Sequence, residues 1–158
     1  MKPLSSGLIE FKIPFDTGYI GVLKFNPNDI DFFDNWVSLE DKLKDLYSEY
    51  ENIKVTKENH AEVIHNIKND LCPKIKAEFD ELFGENASEV IFKYASPVAF
   101  VDDMYYPYYF LNNFAPDVAE KMDKTIEQVK INYEKLSNHA VKYVGKKNVG
   151  TTENNNAK

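Results

Sequence analysis

The sequence contains no arginine: all 19 of its basic residues are lysine. Arginine's planar fork is the usual group for bidentate recognition of phosphates and carboxylates. Its absence counts against a DNA reader and against an arginine-finger enzyme. Codon bias in an AT-rich genome would leave the same gap. Cysteine is almost missing too. Cys72 stands alone, which excludes an intrachain disulfide and suits a reducing compartment. The six glycines are scattered, so no glycine-rich loop is there to cradle a phosphate. There is no apolar run of spanning length and no N-terminal apolar segment, so neither a membrane span nor a signal peptide is expected.

What is present suits one soluble domain. Of 158 residues, 43% are hydrophobic and 14% aromatic, enough to build a core. The net charge is −7. That balance argues against a nucleic-acid backbone or an anionic membrane as the main partner. The expected fold is mainly α with a small N-terminal β-hairpin. It takes the form of a helical bundle with two long heptad-like helices, a single domain over 1–147.

The hairpin is expected over 8–25. "LIEFKI" alternates, with Ile9, Phe11 and Ile13 on one side, and "YIGVLKF" is again β-prone. Between them, Pro14, Asp16 and Gly18 are turn formers. Asn28 or Asp29 then caps a helix. Phe32, Trp36, Leu39, Leu43, Leu46, Tyr50 and Ile53 form a heptad seam along it. Eight acids and two lysines lie between Asn28 and Glu51, so its outer face is strongly negative. Thr56 is the expected cap of the next helix, which Pro73 should kink or split near Cys72. In "DELFGENASEVIF" Gly84 stops that helix, and Asn86 or Ser88 caps a short one. A loop and a short helix near 106–114 follow, and Pro116 fits the first turn of a last long helix. That helix repeats Val118, Met122, Ile126, Val129, Tyr133, Leu136, Ala140 and Tyr143, and is as basic as the first is acidic. The acidic and basic helices either pack on each other or pair between subunits. The polar tail 148–158 is expected to be disordered.

The search for catalytic chemistry yields little. "HAEVIH" places His60 and His65 five apart, about 140° round a helix, where a zinc-protease helix needs four. Asp102 and Asp103 read as a solvated turn rather than a catalytic carboxylate pair. Cys72, on an apolar face, reads as a core thiol. No cofactor and no metal are expected. The unusual feature is "MYYPYYF". Tyr105, Tyr106, Tyr108, Tyr109 and Phe110 either pack in the core or anchor a protein interface.

The order of segments resembles the small tail assembly chaperones of long-tailed phages of Gram-positive hosts. The resemblance rests on "FNPND" opening the first helix and on Asp80, Phe83, Gly84 and Phe92, which match a "D-x-x-FG…F" element. It covers roughly residues 8 to 145; "PVAFVDDMYYPYY" lies outside it. It implies a non-enzymatic helper in the host cytoplasm, not carried in the mature virion. Such a helper binds the phage tape measure protein and keeps it soluble until tail tube subunits polymerise. The partners implied are the tape measure protein, other copies of the chain and the tail tube protein, with no nucleic acid and no membrane. Phe83 and Phe92 then join the tyrosines as candidate partner-binding residues, and Gly84 becomes a hinge that lets two apolar helices splay into a groove wall. Chaperones of this kind are often made in a second, longer form by ribosomal slippage. Gly145, Lys146 and Lys147 suit such a site, though a lysine pair also complements a helix C-terminus. The alternative class is a small acidic phage-encoded inhibitor, a DNA mimic that binds a host nucleic-acid enzyme.

Overall fold

In a computed structural model the chain forms two compact units, Met1–Lys121 and Met122–Lys158. The residues described are 1–122 and Glu127, which cover the first unit completely. The expected domain of 1–147 spans both. The second heptad-like helix beyond Met122, His139, the "VGKK" segment and the tail 148–158 lie outside the described residues.

The first unit is mainly helical and carries the N-terminal hairpin. β1 (Ile9–Pro14) pairs antiparallel with β2 (Ile20–Phe25), Phe11 opposite Leu23 and Ile13 opposite Gly21. Alternation buries Phe11, Leu23 and Phe25 on one face. Gly21 lets that face lie close on a later helix, because a Cβ here would fall 2.4 Å from Val90 Cγ1.

Asp29 opens α1 (Ile30–Glu51), its carboxylate accepting the Asp31 amide at 2.9 Å. The heptad seam is only partly the buried face. Phe32, Leu39 and Leu43 are buried, Trp36, Leu46 and Tyr50 half-buried, and Ile53 falls beyond the helix. Tyr47 takes the last buried place instead. A straight helix turns every 3.6 residues, so its core stripe drifts off a 3.5-residue repeat. Leu39, Leu43 and Tyr47 follow the four-residue ridge of a globular core.

Thr56 does not cap the next helix directly. It forms a reciprocal pair with Asn59, amide to side chain at 2.7 Å and 3.3 Å, and α2 (His60–Asn66) starts just after. Pro73 acts as expected, by a specific device. A π-turn, Ile67–Leu71, separates α2 from α3 (Cys72–Phe83). There the Cys72 amide reaches back five residues to the Ile67 carbonyl. The widened turn accommodates a ring that has no N–H and would crowd the preceding turn.

Gly84 ends α3 at φ +101, and its amide donates to the Asp80 carbonyl at 2.9 Å. Neither Asn86 nor Ser88 caps α4 (Ala87–Ile91) with its side chain. Asp80 reaches across the turn instead, accepting the Ser88 amide at 2.7 Å and its hydroxyl at 3.0 Å. The expected loop after α4 contains a small ribbon, β3 (Phe100–Val101) and β4 (Met104–Tyr105). Asp102 and Asp103 turn it at φ +51 and +62, as a two-residue hairpin turn requires.

The helix that follows, α5, runs over 106–122. Pro116 lies inside it and does not open a new helix. Proline withholds the amide that the Asn112 carbonyl would accept. Phe110, Phe114 and Val118, four residues apart, are nevertheless all buried, so packing carries the helix through. The centre of the unit is Phe83. Among the described residues its ring has six aromatic neighbours, Phe25, Phe32, Trp36, Phe79, Phe110 and Phe114, at centroid distances of 5.1 to 6.1 Å.

Candidate functional site

Three segments meet beside β1 to form a groove of about 630 Å³. The strand and its turn contribute Lys12 to Asp16, the chain after α4 contributes Tyr94 and Ala95, and the ribbon contributes Val101. α5 forms the remaining wall with Tyr106, Tyr109, Phe110, Asn113, Phe114 and Asp117. The four-residue ridge of α5 explains this. Tyr106, Phe110 and Phe114 face inward, and Tyr109, Asn113 and Asp117 flank them one ridge over.

The base is apolar. Phe110 and Phe114 are buried, with centroids 5.1 Å apart. Phe114 also meets the edge of Phe11 at 5.6 Å, which ties the helix to the hairpin. Tyr106 and Tyr109 stack at 5.9 Å, and the Asn113 amide donates to the Tyr109 carbonyl at 2.8 Å. Burial pushes the Tyr106 hydroxyl's pKa up, with Tyr109 and the charge of Asp16 adding to it. Tyr106 therefore stays neutral at physiological pH and offers a hydrogen-bond donor.

The rim at the hairpin turn is an aromatic cluster. Phe15 packs on Tyr19 at 5.6 Å and on Tyr94 at 5.3 Å, and Tyr19 lies 6.1 Å from Tyr94. The Lys93 ammonium sits 4.5 Å from the Tyr19 ring centre and 5.9 Å from that of Tyr94. Such geometry attracts cations to the ring faces.

Only three of the candidate residues come together here: Tyr106, Tyr109 and Phe110. Tyr105 and Tyr108 lie against α1. Tyr105 stacks flat on Tyr47 at 4.1 Å, Tyr108 lies 5.9 Å from it, and the Tyr47 hydroxyl donates to the buried Pro97 carbonyl at 2.6 Å. Phe83 and Phe92 are both in the core. Phe92 meets Phe79 edge-on at 5.2 Å and Tyr106 at 5.9 Å, so it supports the groove from behind. Gly84 lines a second hollow of about 300 Å³, between β2 and the start of α4. Its turn is pinned by the Asp80 bonds.

Sequence reasoning missed Lys12, Phe15, Asp16, Tyr94 and Asp117. "PFDTG" reads as a turn, and nothing local ties it to a helix ninety residues on. The one available signal was that Phe15 and Tyr19 bracket the turn and face each other across it.

The remaining chemistry is modest. His60 and His65 are exposed, and Cys72 is a buried thiol whose pKa burial raises. Among the described residues no group of three or more His, Cys, Asp or Glu is placed to hold a metal ion. Among them, too, no helix is long and apolar enough to cross a membrane. Outside the groove, the Tyr50 hydroxyl donates a hydrogen bond to Asp70 Oδ2, and Lys74 pairs with Asp70 at 3.1 Å. No protein-family model, no curated protein and no solved structure matches the chain.

Proposed function

We propose that this protein is a non-enzymatic, protein-binding assembly factor, and that its partner is a phage tape measure protein. In that role it acts as a tail assembly chaperone in the host cytoplasm and stays out of the mature virion. The groove beside β1 carries the proposal: about 630 Å³ with a base of Phe110 and Phe114 and walls of tyrosine. Concave apolar surfaces with a few convergent polar groups are where proteins take ligands. Tyrosine and phenylalanine supply the anchoring area of protein interfaces. The resemblance through "FNPND" and Asp80, Phe83, Gly84 and Phe92 supports the choice of partner. These four residues build the α3–α4 turn and the aromatic core behind the groove.

Co-expression with a phage tape measure protein tests the reading. The expected result is a soluble tape measure fragment that co-purifies with the chain. Tyr106→Ala together with Tyr109→Ala should abolish the rescue while circular dichroism keeps its helical signal. A tape measure fragment that stays insoluble overturns the proposal. The acidic side chains of α1 are exposed, which favours the DNA-mimic inhibitor as the second reading. Retention of a host nucleic-acid enzyme on the immobilised chain, released by salt, would select it.

A further inference from the structure

The groove runs along the outer edge of β1, which no other strand covers among the described residues. β1 and β2 form a two-stranded sheet, so each strand has one outer edge. The direction of the β1 backbone follows from one bond at the turn. The Phe15 amide donates to the Tyr19 carbonyl at 2.9 Å. Directly opposed residues of an antiparallel pair alternate between bonded and non-bonded. Ile13–Gly21, Phe11–Leu23 and Ile9–Phe25 are therefore the bonded pairs of this register. Glu10, Lys12 and Pro14 turn their backbone groups outward, away from β2. Pro14 fits this pattern, because a residue with no N–H belongs on an edge. Glu10, Lys12 and Pro14 are all exposed. Lys12 and Pro14 line the groove, and no β2 residue does among the described residues.

We infer that the outer edge of β1 takes an extended, lysine-bearing peptide segment as a third strand, with alternate side chains entering the groove. A helix laid in the groove would leave the outward amides of Glu10 and Lys12 to water, whereas a strand satisfies them. The charge of the occupant follows from the lining. Asp16 and Asp117 face the groove, with Lys12 as the one lysine among its described residues. The Tyr19 and Tyr94 faces of the adjoining rim are already taken by the Lys93 ammonium, so the two carboxylates are what the incoming lysine meets. Side chains two apart on the added strand thus meet an aromatic base and an acidic margin. The inference rests on the groove being a protein-binding site, but not on the partner being a tape measure protein.

The probe is a short synthetic peptide of alternating valine and threonine with one central lysine. Its controls are the same peptide with glutamate at the centre, and an amphipathic helical peptide. Amide hydrogen exchange is read residue by residue on the full chain. The expected result is slowing of the Glu10 and Lys12 amides by at least about tenfold at saturating lysine peptide. The glutamate peptide should bind several-fold more weakly, and Asp16→Asn with Asp117→Asn should erase that difference. Lys12→Pro removes one outward amide and leaves the inward ladder intact. It should abolish binding while Phe11 and Ile13 stay protected. If Lys12→Pro unfolds the hairpin, the exchange result on the unaltered chain decides alone. Binding of the helical peptide with Glu10 and Lys12 unslowed would overturn strand addition and leave the groove a protein site. Binding of no peptide would overturn both.

Discussion

A few positions in this chain are set by a single contact. At Gly21 there is no room for a methyl group, because Val90 Cγ1 occupies the place a Cβ would take. Gly21→Ala should destabilise the protein by about 1–3 kcal/mol, as overpacking does. Val90→Ala should recover part of that loss, and a double-mutant cycle in urea checks the coupling. Gly84 is constrained by its backbone as well as by space: φ is +101, and an added Cβ would sit 3.3 Å from the Lys24 carbonyl oxygen. Tyr47 is constrained by its hydroxyl. That group is buried against the Pro97 carbonyl, and burial together with Tyr108 and Tyr105 raises its pKa. Tyr47→Phe leaves the carbonyl without its donor and should cost about 1–3 kcal/mol, read as a shift of the urea midpoint.

Between elements, the half-buried contact of Tyr50 with Asp70 ties α1 to the π-turn and gives the protein a legible pH response. The Tyr50 hydroxyl, with help from Lys74, holds the Asp70 carboxyl below its ordinary value of 3.8. A depressed carboxyl stabilises the fold fully above its unfolded value, and that contribution fades as pH falls through the lowered one. Tyr50 moves the other way. Its hydrogen bond to Asp70, followed by desolvation, pushes it from 10.0 up to about 12. Its contribution is complete below 10.0 and is lost as pH rises through about 12. Tyr50→Phe should therefore lower the urea midpoint by a constant amount between pH about 5 and 9. The gap to the unaltered protein should close at both extremes. A gap that does not narrow as pH falls below the ordinary carboxylate range would sink the assignment to this pair. α5 offers a second test at this scale. Pro116→Ala returns an amide to the Asn112 carbonyl in a helix whose buried ridge is already in place, so the melting temperature should rise.

At the scale of the whole unit, Phe83 joins the hairpin, α1, α3 and α5 through one ring. Phe83→Ala should cost about 3–5 kcal/mol, the range for a buried aromatic cut to a methyl. Trp36 is the only tryptophan and lies 6.1 Å from Phe83, so its fluorescence reports on this junction. Urea unfolding followed by Trp36 emission should coincide with loss of amide-exchange protection across the first unit. Protection lost there in two separated steps would mean that the aromatic centre does not unite the elements.

Elements whose signals are local could be read from the residues alone. Alternation at Ile9, Phe11 and Ile13 made the hairpin readable, Asp29 marked the start of α1, Pro73 its neighbour's interruption, and Gly84 the stop of α3. Each works within a few residues, through sterics or one hydrogen bond. The tyrosine run was legible as unusual, but not its division. Periodicity shows which residues share a face of α5; it does not show what each face meets. Packing sends Tyr105 and Tyr108 to Tyr47 on α1, and Tyr106, Tyr109 and Phe110 to the groove. The same holds for Pro116, where a local rule against helix gave way to burial of Phe110, Phe114 and Val118. It holds for Asp80 too, which caps a helix it does not belong to. The groove was the least legible feature, because Lys12 and Asp16 reach Tyr109 and Asp117 only when β1 lies along α5. A turn near the N-terminus and a helix about a hundred residues later carry no mutual signal in one sequence. Packing of Phe11 and Phe25 against Phe114 brings them to one site.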